Sequence, residues 1–165
     1  MIAFEPIGVI HTPFTEPKGI PIQPAAGQEV EGTVEVFEAY RDGLSDLDGF
    51  SHIALIFHLH RSEGYRLRVV PYLDTVERGL FATRAPRRPN PIGLSVVRLD
   101  RIEDGTLYIR GADMIDGTPL LDIKPYVPPF DDPKSVRIGW LEAFKERIPG
   151  HRSDERFAEH PGSVP

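Results

Sequence analysis

The segment Thr83-Arg84-Ala85-Pro86-Arg87-Arg88-Pro89-Asn90-Pro91-Ile92-Gly93 sets three arginines among three prolines. Proline fixes φ and withholds an N–H, so the stretch reads as a stiff loop and not as a helix. Each guanidinium is a planar fork that matches a phosphate or a carboxylate. The same composition also suits a purely structural arginine-rich turn. A second set of chemistry-bearing residues is His58-x-His60, a spacing that occurs among metal ligands. His52 lies six residues before His58, roughly 20 Å along an extended strand, so the three cannot share one ion. A third ligand would have to come from His11 or Asp113; otherwise the histidines line a polar pocket. A third set is Asp116-Gly117-Thr118-Pro119, a turn preceded by Asp113. A carboxylate beside a turn can hold ribose hydroxyls or an α-amino group, although Asp-Gly turns alone are common.

Several chemistries are excluded. Cysteine is absent, which rules out disulfides, thiolate metal sites and a cysteine nucleophile. Neither a GxGxxG motif after a strand nor a Walker A loop occurs, so a nucleotide-like cofactor is not held by the usual glycine loop. No apolar run approaches the ~18 residues of a membrane span. The N-terminus carries Glu5 and Pro6 with no basic region before them, unlike a secretory signal. The expectation is a cytoplasmic protein with no membrane partner and no DNA partner.

The net charge of −6 conceals an uneven distribution. Residues 61–101 carry nine arginines against four acids, whereas the flanking regions are acidic. A local basic surface can meet phosphates whatever the sign of the whole chain. A solvated charged face would give the same count.

The elements that must position these residues are short. Seventeen prolines and fifteen glycines punctuate 165 residues, and β-like runs lie between turn signals. These runs are FEPIGVIH at the start, then 32–37, 51–60, 66–70, 92–102 and 106–113. In the third, Ile53, Leu55, Phe57 and Leu59 share one face and the histidines share the other. Glu103-Asp104-Gly105 reads as a tight hairpin. The pattern predicts a mainly β fold, a small antiparallel β-barrel with short helices and a C-terminal helix and tail. Trp140, Leu141, Phe144 and Ile148 recur at helical spacing, with Pro149-Gly150 as the stop. The expected organisation is a barrel domain over 1–130 and a helix and polar tail over 131–165.

Five ordered segments carry a family resemblance: PIGVIHTPF at 6–14, IPIQPA at 20–25, LDGFSHI at 47–53, FATRAPRRPNPIGLS at 81–95 and DGTPLLDIKPYVP at 116–128. Through them the chain resembles the tRNA threonylcarbamoyladenosine methyltransferase family over roughly residues 5–130. The resemblance implies a homodimeric β-barrel enzyme with an S-adenosyl-L-methionine site near the subunit interface. It implies methylation of the exocyclic nitrogen of threonylcarbamoyladenosine, 3′ of the anticodon in tRNA. For the cofactor it points to Pro24, Ala25, Ala26, His60, Arg61, Arg84, Leu94, Gly111, Ala112, Asp113 and Met114. Arg61 departs from the family's usual residue at that place. Where larger members carry a substantial C-terminal domain, some 35 residues follow the barrel motifs in this sequence, and SDERF at 153–157 matches their late motif only loosely.

On that reading the enzyme must align nucleophile, methyl group and sulfur, and a base must lie near the substrate nitrogen. His60 is the candidate base, and Arg84 binds either the cofactor or the threonyl carboxylate. Arg87 and Arg88 are expected to face outward to anticodon-loop phosphates. Tyr126 or Phe130 is expected to stack on an exposed base. Two other classes compete: a metal hydrolase built on His58 and His60, and a non-catalytic S-adenosylmethionine-binding module.

Overall fold

The computed structural model describes residues 1–20 and 30–147. Six strands close into an antiparallel barrel in the order β1 (Gly8–His11), β2 (Glu31–Val36), β7 (Thr106–Arg110), β6 (Ile92–Glu103), β3 (His52–His58) and β8 (Thr118–Pro125). A separate two-stranded ribbon pairs β4 (Arg68–Val69) with β5 (Arg78–Gly79). Closure removes the unpaired edges that a small open sheet would expose.

Alternation decides which face is inside. Ile53, Leu55 and Phe57 point into the core, while His52 and His58 are exposed. They meet Val34, Val97, Leu107, Ile109 and Leu120 from the other strands. The β6–β7 connection is Asp104-Gly105, with φ of 49° and 78°. Two successive positive φ values are what a two-residue hairpin of type I′ requires, so the expected hairpin forms. β8 was not anticipated as a strand. Pro119 and Pro125 discourage that reading, yet β8 pairs with both β1 and β3 and thereby closes the barrel.

The C-terminal expectation needs correction. The residues around Trp140 form a 3-10 turn, Gly139–Phe144, not an α-helix, and Ile148 lies outside the described residues. The one α-helix among the described residues is α1 (Pro128–Asp131), which spans the expected boundary at 130. Prolines at its first two positions suit a helix start, and the Asp131 carboxylate accepts the Val127 N–H. No helix of the described residues is long and apolar enough to cross a membrane.

One glycine ties the barrel to the cleft described below. Gly93 on β6 faces Phe57 on β3, and a methyl group there would collide with the Phe57 ring. Gly93→Ala is expected to cost about 1–3 kcal/mol through overpacking. Urea denaturation would check this, an unchanged midpoint being contrary to the account.

Candidate functional site

The ends of the barrel strands set up one large concavity. β3 finishes at His58, the chain turns, and the Leu59 N–H donates to the Pro91 carbonyl at 2.7 Å. The proline-rich loop is thereby laid against the end of β3 just before β6 begins. Residues 113–116 are fixed from the opposite side. The Thr12 hydroxyl donates to the Met114 carbonyl at 2.7 Å, and the Thr12 N–H donates to the Asp116 carboxylate at 3.0 Å. Between these supports opens a cleft of about 780 Å³, within the usual range for small-molecule and cofactor sites.

The cleft brings together residues that the sequence scatters. His60, Arg61, Arg84, Leu94, Asp113 and Met114 all border it. Gly111 and Ala112 do not: both are buried, and their N–H groups donate to the Val30 carbonyl at 2.9 and 3.3 Å. They brace the strand that leads to Asp113. Pro24, Ala25 and Ala26 lie outside the described residues.

Asp113 is the most perturbed acid of the cleft. Ser95, itself buried, donates its hydroxyl to the Asp113 carboxylate at 2.6 Å. Burial pushes the Asp113 carboxyl from its ordinary 3.8 up to about 6, against the opposing pull of the Ser95 hydrogen bond and the Arg84 charge. Although the residue as a whole is partly accessible, the direction follows from the carboxyl's own position at the cleft floor. His60 is shifted the other way. Burial lowers its pKa first, electrostatic repulsion from the neighbouring Arg61 and His58 side chains adds to this, and a backbone hydrogen bond partly offsets it. His60 is therefore neutral at physiological pH and able to accept a proton.

The arginine loop is built differently from the expectation. Arg84 is exposed and borders the cleft. Arg88 does not project outward: it is half-buried, and its Nη1 donates to the Thr83 and Ala85 carbonyls at 2.9 and 3.2 Å. Arg87 is half-buried as well. The physical reason is the loop's own composition. Prolines supply no N–H, so the loop's carbonyls need donors from elsewhere, and Arg88 provides them.

Tyr126 is not brought to the cleft. It sits edge-on to His52, at the far end of β3, and its hydroxyl donates to Asp132. Among the described residues no group of three or more His, Asp or Glu is arranged to hold a metal ion. His11 faces Glu35 and Asp116 instead, at 3.6 and 3.3 Å.

One wall escaped the sequence reading. Ile138, Trp140 and Leu141 border the cleft together with Phe81. The Trp140 indole N–H donates to the Ala82 carbonyl at 2.8 Å, and the Arg78 guanidinium lies 5.6 Å from the indole centroid. Arg78 is held in turn by Asp74 at 2.8 Å. The only available signal was that the chain has a single tryptophan.

A model of the tRNA-methyltransferase O N-terminal domain matches residues 9–132. The chain belongs to that family. It is 55% identical over 157 residues to a protein of Pyrococcus abyssi called a probable S-adenosyl-L-methionine-binding protein, covering 95% of this chain and 85% of the relative. It is 37% identical over 141 residues to the mouse tRNA (adenine(37)-N6)-methyltransferase, covering 81% of this chain but 33% of that protein. The crystal structure of tRNA-methyltransferase O from Pseudomonas aeruginosa superposes with a TM-score of 0.72 at 39% identity, over 85% of this chain and 62% of that one. The arginine loop and all of the barrel but the first residue of β1 fall inside the span that the family model matches.

Proposed function

We propose that the protein is an S-adenosylmethionine-dependent tRNA methyltransferase acting on the exocyclic nitrogen of threonylcarbamoyladenosine beside the anticodon. The observation that carries this reading is the presence of both Asp113 and Arg84 on the border of one apolar-walled cleft. S-adenosylmethionine combines an adenosine with an amino-acid tail that bears one ammonium and one carboxylate. A carboxylate and a guanidinium on the same cleft are complementary to that tail, and the apolar wall suits the adenosine. When bound, the cofactor supplies an electrophilic methyl group on a sulfonium. Asp113 would hold the ammonium, Arg84 the carboxylate, and Leu94 and Met114 the apolar surface. Neutral His60 would accept the proton that the substrate nitrogen gives up. The cofactor contacts expected at Pro24, Ala25, Ala26 and Arg61 belong to the same reading.

Further parts of the reading concern assembly and setting. The protein is proposed to act as a homodimer in the cytoplasm, two-fold pairing being the default for oligomers of this kind. Ile92 and Leu94 favour this: they are exposed on β6 at the border of the cleft, where a second subunit would cover the cofactor site. Residues 131–147 act with the barrel as the cleft's outer wall.

A second reading has its own support. Several relatives, both of similar length and longer, are called S-adenosyl-L-methionine-binding proteins. A module that binds the cofactor without turnover would fit those names. One experiment separates the two. Calorimetry with a chelator present should show stoichiometric cofactor binding. Mass spectrometry of tRNA nucleosides should show the methylated threonylcarbamoyladenosine only after incubation with protein and cofactor. Binding without any new nucleoside would favour the module, and loss of binding on chelation would overturn the metal-free cofactor site. Light scattering on the same sample should give the dimer mass.

A further inference from the structure

We propose that Phe81 is the stacking platform for the substrate adenine. The inference rests on the methyltransferase reading and assigns the part of the cleft that recognises the nucleotide. At 74% exposure, Phe81 is the most exposed of the large apolar side chains that border the cleft. Its backbone is nevertheless held on every side. Leu80, fully buried, donates its N–H to the Leu67 carbonyl at 2.9 Å. The Ala82 carbonyl accepts the Trp140 indole at 2.8 Å, and the Thr83 hydroxyl caps the Leu80 carbonyl at 2.8 Å. Arg88 lies 5.8 Å from the ring centroid and is itself fixed by two loop carbonyls. Of the aromatic rings that border the cleft, Phe57, Tyr72, Phe81 and Trp140, Phe81 is the one the fold leaves exposed to solvent.

A base in an RNA loop is recognised once splayed out, and it then stacks on an aromatic side chain. The ring that does this must lie beside the reacting centre and beside cations that meet the flanking phosphates. Phe81 satisfies both conditions, since it borders the cleft and the Arg88 guanidinium lies 5.8 Å from its ring. Tyr126 satisfies neither, being at the other end of β3. The depth of the cleft, at Asp113 and Ser95, is left to the cofactor.

The test compares Phe81→Leu and Phe81→Trp with wild type on an anticodon stem-loop RNA carrying 2-aminopurine in place of the target adenine. Stacking quenches this fluorophore. Wild type and Phe81→Trp should quench it and Phe81→Leu should not. On natural tRNA, Phe81→Leu should raise KM roughly ten- to a hundredfold, the range of one lost base–aromatic stack, with cofactor affinity unchanged and Phe81→Trp near wild type. If Phe81→Leu quenches and turns over like an active wild type, the assignment falls while the methyltransferase reading stands. If Phe81→Leu converts a dimer to a monomer in light scattering, the ring is a subunit contact and the assignment falls. If wild type methylates no tRNA, the reading falls and takes the assignment with it.

Discussion

Asp113→Asn is expected to make the protein more stable at pH 8 and unable to hold its cofactor. At that pH the carboxyl is ionised in a place that disfavours charge, mainly through burial. A carboxyl raised from 3.8 to about 6 binds its proton more tightly folded than unfolded. Between those two values the folded state carries more protons, so stability falls as pH rises through the window. The full cost is present above about pH 6, and it is on the order of 1–3 kcal/mol. Asparagine removes that cost and can still accept the Ser95 hydroxyl hydrogen bond. Calorimetric melting should show the variant several degrees higher at pH 8, with the difference closing as pH falls toward 4. Cofactor binding should move the other way. Losing the partner of a buried ammonium costs on the order of 2–5 kcal/mol. In wild type, affinity should weaken as pH drops below about 6, because the carboxyl must lose a proton before it meets the ammonium. An Asp113→Asn protein with wild-type affinity would remove Asp113 from the site. Such a trade between stability and function is common where a fold holds a charge for chemistry.

The barrel was legible because its signal is local and periodic. Ile53, Leu55 and Phe57 alternate inward as their spacing requires, and Asp104-Gly105 supplies the positive φ values of its turn. What escaped the sequence depends on partners far along the chain. β8 reads poorly because of its prolines, and it exists because β1 and β3 both offer it hydrogen bonds. Trp140 looks like one position of an amphipathic helix, yet its N–H is taken by a carbonyl 58 residues away. Helical spacing cannot distinguish a turn stapled to a loop from a free helix. The arginine loop was half legible. Its stiffness and its cleft position follow from the prolines and the motif, but the inward fold of Arg88 follows from counting the carbonyls those prolines leave without donors. Phe81 carried no periodic signal at all, since its importance lies in what holds its neighbours.

Arg84→Ala is expected to reduce methyl transfer by more than any other change in the loop. Arg84 sits between two fixed points. On one side the Thr83 carbonyl accepts Arg88, and on the other buried Ala85 packs with Val69 and Leu80. The backbone therefore cannot drift to compensate, and the loss is that of the guanidinium itself. Because Arg84 is exposed at the edge of the cleft, losing its hydrogen bonds to a charged group costs about 1.5–3 kcal/mol, or roughly tenfold to a hundredfold in kcat/KM. Arg84→Lys keeps the charge without the fork and should recover only part of it. Arg88→Ala should do less harm, since it loosens the loop without removing the ligand. Two further readouts identify what Arg84 holds. Its charge opposes the rise in the Asp113 pKa, so Arg84→Ala should move the acid limb of cofactor binding above pH 6. A salt titration of tRNA affinity separates cofactor from phosphate: each lost phosphate contact flattens the slope by nearly one unit. An unchanged slope with lost cofactor affinity would place Arg84 on the amino-acid tail. A flattened slope with intact cofactor affinity would move it to the tRNA backbone, and full turnover in Arg84→Ala would remove this loop from the active site.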